Sequence, residues 1–492
     1  MKPNVILIMA DQLKAGALRA YGNGFLKTPA LDKLADEGVL FTNAFTPHPL
    51  CVPARISTWC SQYPHTHGGR RNESSMPQDA VHAFKLWKQE GLTAGLIGKN
   101  HCFKTQADLD LFDVWCEIEH RGLVKAHPCK GLDWPVSVED IEKAHETRKN
   151  MEWKTPRIAY SHSEHPLEHY STGLITDQTL KFLEEYRNEP FALWVSYPDP
   201  HGPYDVPKKY FDAIINQVEL PPWDDDEFTN APERNKIFYE MMGLKKDNPV
   251  YVKEAIATYY AMIKFIDVGI GRILDKLAEL NLMENSIIVF CADHGECAGE
   301  HGLLGKAGVF YDCHTRIPLI VSAPGMIPRG QVEESMVSLI DIVPTLLKLQ
   351  NMEIPGCMEG KPLPGITDAE PREAVFSEYG AGGRPFTSKD LHQLAKPYGH
   401  HTILQTLRWR EAEGRCKMIR TKEWKYVHDP MGDIDELYDM VHDPWEQRNL
   451  MDDPQYEGII NQMRLKLLDW CIRHEDGKPV PLPEEEFYNI II

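Results

Sequence analysis

The chain of 492 residues lacks several features that would decide its class at once. It has no apolar run near the length of a membrane-spanning helix, so a membrane protein of that kind is not expected. It lacks a surplus of positive charge. With 53 basic against 73 acidic residues its formal net charge is −20, which argues against nucleic acid or an anionic membrane as main partner. It lacks any Cys-x-x-Cys pair, and its 11 cysteines are scattered, so reduced thiols in a cytoplasm fit better than a disulfide framework. Ahead of Asp11 stand only the apolar residues Val5 to Ala10, too few for a signal-peptide core, which again favours the cytoplasm. Internal repeats and low-complexity segments are absent as well.

What is present reads as a soluble globular enzyme, with 42% hydrophobic and 26% charged residues. The length predicts a large domain and a smaller one, and a change of composition near Pro362–Arg372 sets them at residues 1–365 and 366–492. Val5–Ala10, Val39–Phe45, Leu92–Ile97, Phe191–Ser196, Ser286–Ala292 and Ile317–Ser322 are apolar runs of the kind buried in parallel sheets. Helices are expected from Thr28, as cap, to Gly38, and over Pro77–Glu90, Gly173–Tyr186, Val252–Leu280 and Ile340–Leu349. Residues 103–170 are weakly periodic and carry scattered histidines, among them His120, His127, His145 and His162. They read as an insertion at a pocket rim, and the histidines are given no role. Residues 205–249, with the acidic run Asp224 to Glu227, read as a solvated loop. Short strands at Ala374–Glu378, Cys416–Thr421 and Trp424–His428, then a helix around Ile459–Ile472, predict a compact α+β subdomain. The fold class is therefore α/β: a large mixed, mostly parallel sheet between helices, with a small C-terminal α+β subdomain.

The stretch Thr46-Pro-His-Pro-Leu-Cys51-Val-Pro-Ala-Arg55 carries the chemistry. Pro47 and Pro49 end the preceding strand, and Pro53 suits a helix's first turn. Cys51 then sits at a helix N-terminus, with Arg55 one turn later on the same side. A nucleophile, a helix N-terminus and an arginine together suit a tetrahedral oxyanion. Predicted strands also end in polar clusters: Asp11-Gln12, Lys99/His101, Asp199/His201 and Asp293-His294. In open parallel sheets ligands bind outside the carboxyl ends of the strands. Asp11, Gln12, Asp293 and His294 offer mostly oxygen ligands for a hard divalent cation such as Ca²⁺, Mg²⁺ or Mn²⁺. Arg55, Lys99 and Lys306 supply positive charge for an anionic substrate, and His101 and His201 can move protons near neutral pH.

At these residues the chain resembles a type I, formylglycine-dependent sulfatase of the alkaline phosphatase superfamily. The carrying motifs are Asp11-Gln12, Cys51-Val-Pro-Ala-Arg55, Gly98-Lys-Asn-His101, Asp199-Pro-His-Gly-Pro203, Asp293-His-Gly-Glu296 and Gly305-Lys306. The resemblance implies that a separate maturation enzyme oxidises Cys51 to formylglycine, that the metal set includes residue 51, and that calcium is the first candidate ion. It implies that a hydrate hydroxyl at residue 51 attacks sulfur and that His201 or Lys306 protonates the leaving alcohol. His101 would take the proton whose loss releases sulfate. Arg55 would hold the hydrate and the metal-site carboxylates, with Lys99 and Lys306 on sulfate oxygens. Gln12 and His294 depart from the commonest pattern, removing a charge and adding a nitrogen ligand, which brings manganese forward and admits a phosphonate monoester hydrolase or phosphodiesterase as alternative. The expected substrate is a small-molecule or carbohydrate sulfate ester, with sugar sulfates foremost. A homo-oligomer is left open.

Overall fold

The computed structural model describes residues 2–124, 129–223, 226–306 and 308–475. Of the residues named above, His127, Asp224 and Asp225 lie outside them.

The apolar runs pair as their burial demands. Five neighbouring strands lie parallel in the order Ser286–Ala292, Asn4–Asp11, Phe191–Pro200, Thr93–Gly98 and Val114–Glu119. The first three are buried along their whole length, as strands covered on both faces must be. Arg316–Ser322 runs antiparallel to both Ser286–Ala292 and Val39–Phe45. Gln331–Glu333, Val337–Ser338 and Gly122–Leu123 complete a mixed sheet of ten strands. Two groups of helices cover it: Pro29–Asp36, Ser171–Glu185 and Pro249–Glu279 contact one another, as do Cys51–Cys60, Ala83–Gln89 and Ile342–Leu349 through Cys51–Cys60. A second sheet, Ala374–Tyr379, Cys416–Thr421, Trp424–His428 and Glu436–Asp439, is antiparallel and carries the helix Glu457–Glu475. The expected fold class stands.

Several local expectations are corrected. Val114–Glu119, inside the supposed insertion, is a strand of the main sheet, and its residues from Val114 to Ile118 are buried on both faces. Residues 205–249 are not a solvated loop. They contain the helix Glu233–Met242, whose Ile237, Phe238 and Met241 pack in one cluster with Phe386, Leu391 and Tyr398 of the C-terminal part. The helix expected over Pro77–Glu90 is confined to Ala83–Gln89, since Met76 N–H donates to the Cys102 carbonyl and His82 is extended. Thr28 does not cap the first helix through its side chain. Asp267, on the long helix Pro249–Glu279, accepts instead from the backbone N–H groups of Leu31 (2.9 Å) and Ala30 (3.4 Å). The cysteines are not all reduced: Cys116 and Cys129 form a disulfide, joining the unexpected strand to the segment that crosses it.

Candidate active site

All five parallel strands deliver residues to one end of the sheet. Asp293 follows Ser286–Ala292, Asp11 ends its own strand, His201 follows Phe191–Pro200, Lys99 follows Thr93–Gly98, and Glu119-His120 closes the fifth. Gly98 is needed at its turn. Its φ is +108°, and a Cβ there would stand 2.0 Å from the Ser196 carbonyl oxygen, which the Lys99 N–H bonds at 2.8 Å. Gln12 (φ 64°) and His101 (φ 65°) also take the left-handed backbone that non-glycine residues adopt at a cost, a feature concentrated at functional sites.

Cys51 opens the helix Cys51–Cys60, a wholly buried element. Arg55, one turn on and fully buried, ties the centre together. Its Nη2 meets Asp11 Oδ2 at 3.0 Å, its Nε meets Asp293 Oδ2 at 2.9 Å, and its Nη1 donates to Ser196 Oγ (2.8 Å) and the Lys99 carbonyl (2.9 Å). One oxygen of each carboxylate is thereby held away from Cys51. Burial works against the guanidinium's charge, but Asp293 and Asp11 outweigh it and push its pKa up. Burial alone would raise the Asp11 carboxyl, yet Lys99, His201, Lys306 and Arg55 hold it well below the ordinary range.

Two ammonium groups flank Cys51 Sγ, Lys306 Nζ at 2.7 Å and Lys99 Nζ at 4.0 Å. His294 Nε2 lies 3.2 Å from the same sulfur and Asp11 Oδ1 3.6 Å. Ligand atoms of Asp11, Cys51, Asp293 and His294 all fall within 4.8 Å of one another. His294 Nδ1 faces the Gly295 carbonyl at 2.9 Å, which can only accept, so the proton sits there and Nε2 presents its lone pair. Gln12 donates through Nε2 to Glu296, while its Oε1 is buried without a partner. Glu296 also accepts from the Ala298 and Gly305 N–H groups, fixing the loop that leads to Lys306.

His101 and His201 line the cavity above Cys51. Burial and Lys99 push the His101 imidazole down, but Glu119, 3.4 Å from its Nε2, and Cys51 raise it overall. Burial and Lys306 hold His201 well below the ordinary histidine range, and its Nδ1 meets the Gly202 carbonyl at 2.5 Å. His120 was given no role from the sequence, yet its Nε2 lies 3.0 Å from Lys99 Nζ. The signal that would have found it is the short apolar stretch Val114-Trp-Cys116 with Ile118, which makes His120 the residue after a fifth parallel strand.

The cavity holds about 520 Å³. Its floor is the cluster just described. Its upper wall comes from Trp153 and Arg157 in the mid-chain segment and from Tyr379, Leu404, Leu407 and Glu411 in the C-terminal part. Glu411 accepts from Asn72, whose side chain in turn bonds the Val52 N–H beside Cys51. The helix His400–Ala412, which carries much of this wall, had no counterpart in the sequence reading. A second buried group, Cys297, Cys313 and His314, lies under the Lys306 loop. There His314 Nε2 meets the Gly305 carbonyl at 2.9 Å and so carries a proton, which suits packing and not metal ligation.

The sulfatase family profile matches residues 3–352. The chain belongs to the sulfatase family. Members of that family are sulfuric ester hydrolases. An arylsulfatase of Clostridium perfringens is 28% identical over 497 aligned positions, covering 97% of this chain and 96% of its own. The ulvan-active sulfatase of Formosa agariphila is 29% identical over 479, covering 95% and 80%. Among solved structures, a phosphonate monoester hydrolase of Agrobacterium radiobacter superposes with a TM-score of 0.76 at 23% identity, covering 96% of each chain. A protein solved in complex with its substrate D-glucosamine-2-N,6-O-disulfate gives 0.73 at 22%, covering 97% and 99%. At these identities the two structures speak for the fold alone.

The family implies a divalent metal and a formylglycine, and this sulfatase has residues that suit the metal. The orphaned Gln12 Oε1, the two carboxylates each anchored by Arg55, and His294 Nε2, whose lone pair faces Cys51 Sγ and Lys306 Nζ at 3.2 Å each, make a donor set of oxygens with one nitrogen, right for a hard or borderline cation. Among the described residues no helix is long and apolar enough to cross a membrane.

Proposed function

We propose that this sulfatase hydrolyses a sulfate ester at residue 51 with Arg55, Lys99, His101, His201 and Lys306 as its working side chains, and with Asp11, Gln12, residue 51, Asp293 and His294 as its metal set. The observation that carries the reading is the pair of ammonium groups at 2.7 and 4.0 Å from Cys51 Sγ, beside two carboxylates anchored by Arg55. In the unmodified chain Sγ stands where the oxygens of a formylglycine hydrate would begin. Carried as formylglycine, residue 51 would supply two hydroxyls, one to attack sulfur and one to expel sulfate, while a divalent ion would lower the pKa of the first and offset charge on the sulfate. Every other part falls to the chain. Arg55 fixes one oxygen of Asp11 and one of Asp293 in place. Lys99 and Lys306 bind sulfate oxygens as negative charge builds on them. His201 Nδ1 donates to the Gly202 carbonyl, so neutral His201 has no proton on Nε2 and serves as a fixed acceptor. The leaving alcohol therefore takes its proton from Lys306. His101, made more basic by Glu119, accepts the proton whose loss frees sulfate.

The donor set supports a hard cation, calcium by family habit, with the His294 nitrogen bringing Mn²⁺ or Mg²⁺ forward. A sugar sulfate is supported by relatives such as the N-acetylglucosamine-6-O-sulfatase of Bacteroides thetaiotaomicron, 23% identical over 545 aligned positions. A cytoplasmic location is supported by the buried thiols Cys60, Cys102, Cys291 and Cys416, which are not in disulfides, although Cys116–Cys129 counts against it. Maturation would need a formylglycine-generating enzyme, and the lobe boundary is kept at residues 365/366.

The test is a substrate panel. A sulfate monoester has three terminal oxygens for donors, whereas a phosphodiester has two and a second organic arm needing room. Higher kcat/KM is expected for at least one sulfate ester than for matched phosphodiesters and phosphonate monoesters. Lys99→Ala should cost sulfate turnover more than phosphodiester turnover. Phosphodiesters winning, with Lys99→Ala harmless to sulfate turnover, would overturn the reading. Peptide mass spectrometry should show formylglycine at residue 51 in active enzyme.

A further inference from the structure

The fifth parallel strand was invisible in the charged stretch around it, and the residue after it has no part in the reaction as set out above. His120 nevertheless touches two of the groups that do. Its Nε2 lies 3.0 Å from Lys99 Nζ, and its ring stacks on that of His201, with centroids 4.3 Å apart and planes 28° from parallel.

Proton counting gives this contact a direction. An ammonium has three protons and no lone pair. One proton of Lys99 goes to Asp11 Oδ2 at 2.5 Å. Since Lys99 can only donate, His120 Nε2 must accept the second. The third is left for the side where Cys51 Sγ stands at 4.0 Å and a sulfate oxygen would arrive. The bond to Lys99 also fixes the tautomer of neutral His120, with its proton on Nδ1. That atom is buried without a partner among the described residues, so the Lys99 bond and the stacking on His201 are what hold the ring. His201 is tied on its other side by the contact of its Nδ1 with the Gly202 carbonyl.

We propose that His120 is a positioning residue. It accepts one proton of Lys99 so that another faces the reacting sulfate, and it buttresses the His201 ring by stacking. The proposal rests on the reading of Lys99 as a sulfate ligand. A side chain that merely filled the cavity floor would make neither the acceptor bond nor its direction matter.

The experiment compares His120→Leu, which keeps bulk and removes the acceptor, with His120→Gln, whose amide oxygen can take the Lys99 proton. Both are made in matured enzyme, alone and with Lys99→Ala, and kcat, KM and thermal midpoint are read for one sulfate ester. His120→Leu is expected to lower kcat/KM by about 10- to 100-fold, the range for losing a hydrogen bond to a charged group. His120→Gln should recover most of that loss. In the Lys99→Ala background His120→Leu should cost under about threefold, because coupled residues are not additive. Equal losses for Gln and Leu at similar thermal midpoints would overturn the proposal, as would a full His120→Leu cost without Lys99. Failure of the underlying reading looks different: Lys99→Ala would itself leave sulfate turnover unchanged, and the Lys99 part of the His120 role would fall with it.

Discussion

Lys306 Nζ lies 2.7 Å from Cys51 Sγ, closer than any other cation to the atom from which the reaction would start. A proton donor so placed should matter most when the leaving alcohol is a poor one. Lys306→Ala is expected to lower kcat by about 100-fold or more for alkyl or sugar sulfates, within the range of a general acid. For a nitrophenyl sulfate, whose phenolate leaves unaided, the loss should be much smaller. A Brønsted plot across a series of phenyl sulfates checks this, and an unchanged slope would move the proton donor elsewhere.

Arg55 is buried between two carboxylates and makes four hydrogen bonds. Removing it takes from the buried Asp293 its guanidinium partner and leaves Asp11 to Lys99. Arg55→Ala should therefore destabilise the fold by about 3–5 kcal/mol, the usual cost of breaking a buried pair. Arg55→Lys should lose less, since it keeps the charge but cannot reach both carboxylates in the same geometry. Denaturant unfolding of the three proteins decides it, and equal stabilities would mean that the carboxylates are neutralised by other groups.

The metal set makes its own prediction. Asp293→Asn keeps the shape of the side chain, including an oxygen for the Gln12 and His294 N–H groups, but lowers the charge offered to a cation. Bound metal, measured by mass spectrometry on purified protein, should fall well below one ion per chain while far-UV circular dichroism is unchanged. Chelator-treated wild type should regain activity with Mn²⁺ at least as well as with Ca²⁺ because of His294. Full metal content in Asp293→Asn would remove Asp293 from the set.

Stability should also respond to pH through Asp267, far from the active site. Burial raises its carboxyl to about 6, against the bonds it accepts from the Leu31 and Ala30 N–H groups. The folded protein thus holds this proton more tightly than the unfolded chain. That contribution is complete below the ordinary carboxylate range and is lost as pH rises from about 4 to about 6. Asp267→Asn keeps an acceptor for the helix and lacks the titration. Its stability relative to wild type should improve by about 3 kcal/mol across that window, an order-of-magnitude figure from the shift. A difference that stays flat with pH would show that Asp267 is ionised throughout in the folded state.

Long apolar runs made most of the sheet legible. Val5–Ala10 and Ser286–Ala292 could be nothing but buried strands, and the polar residues after them mark the site's rim. Asp11, Lys99, Asp293 and His294, each placed at or just after a strand's end, lie around Cys51, with Arg55 one helical turn on and Lys306 from a loop beside them. What escaped was written in other terms. Val114-Trp-Cys-Glu-Ile-Glu119 interrupts its apolar residues with two glutamates, Glu117 buried beside Asn100 and Glu119 facing His101, so apolar mass does not single it out. The cap on the first helix belongs to Asp267, more than two hundred residues away, where no local signal points. The helix His400–Ala412 has no clean apolar stripe, since its Leu404 and Leu407 face a cavity and not a core.

That helix has a consequence for how such an enzyme can change. The groups gathered around residue 51, from Asp11 to Lys306, all come from the first 306 positions, whereas Tyr379, Leu404, Leu407 and Glu411 close the cavity from beyond position 370. The reacting groups thus lie on one stretch of chain, while the wall above them is shared between Trp153 and Arg157 of that stretch and the later one. Substitutions at Leu404 and Leu407 would reshape the wall without touching the groups around residue 51, whereas Glu411 reaches back to them through Asn72. Duplicated copies of the gene could therefore part ways in diet at the first two positions without passing through an inactive ancestor.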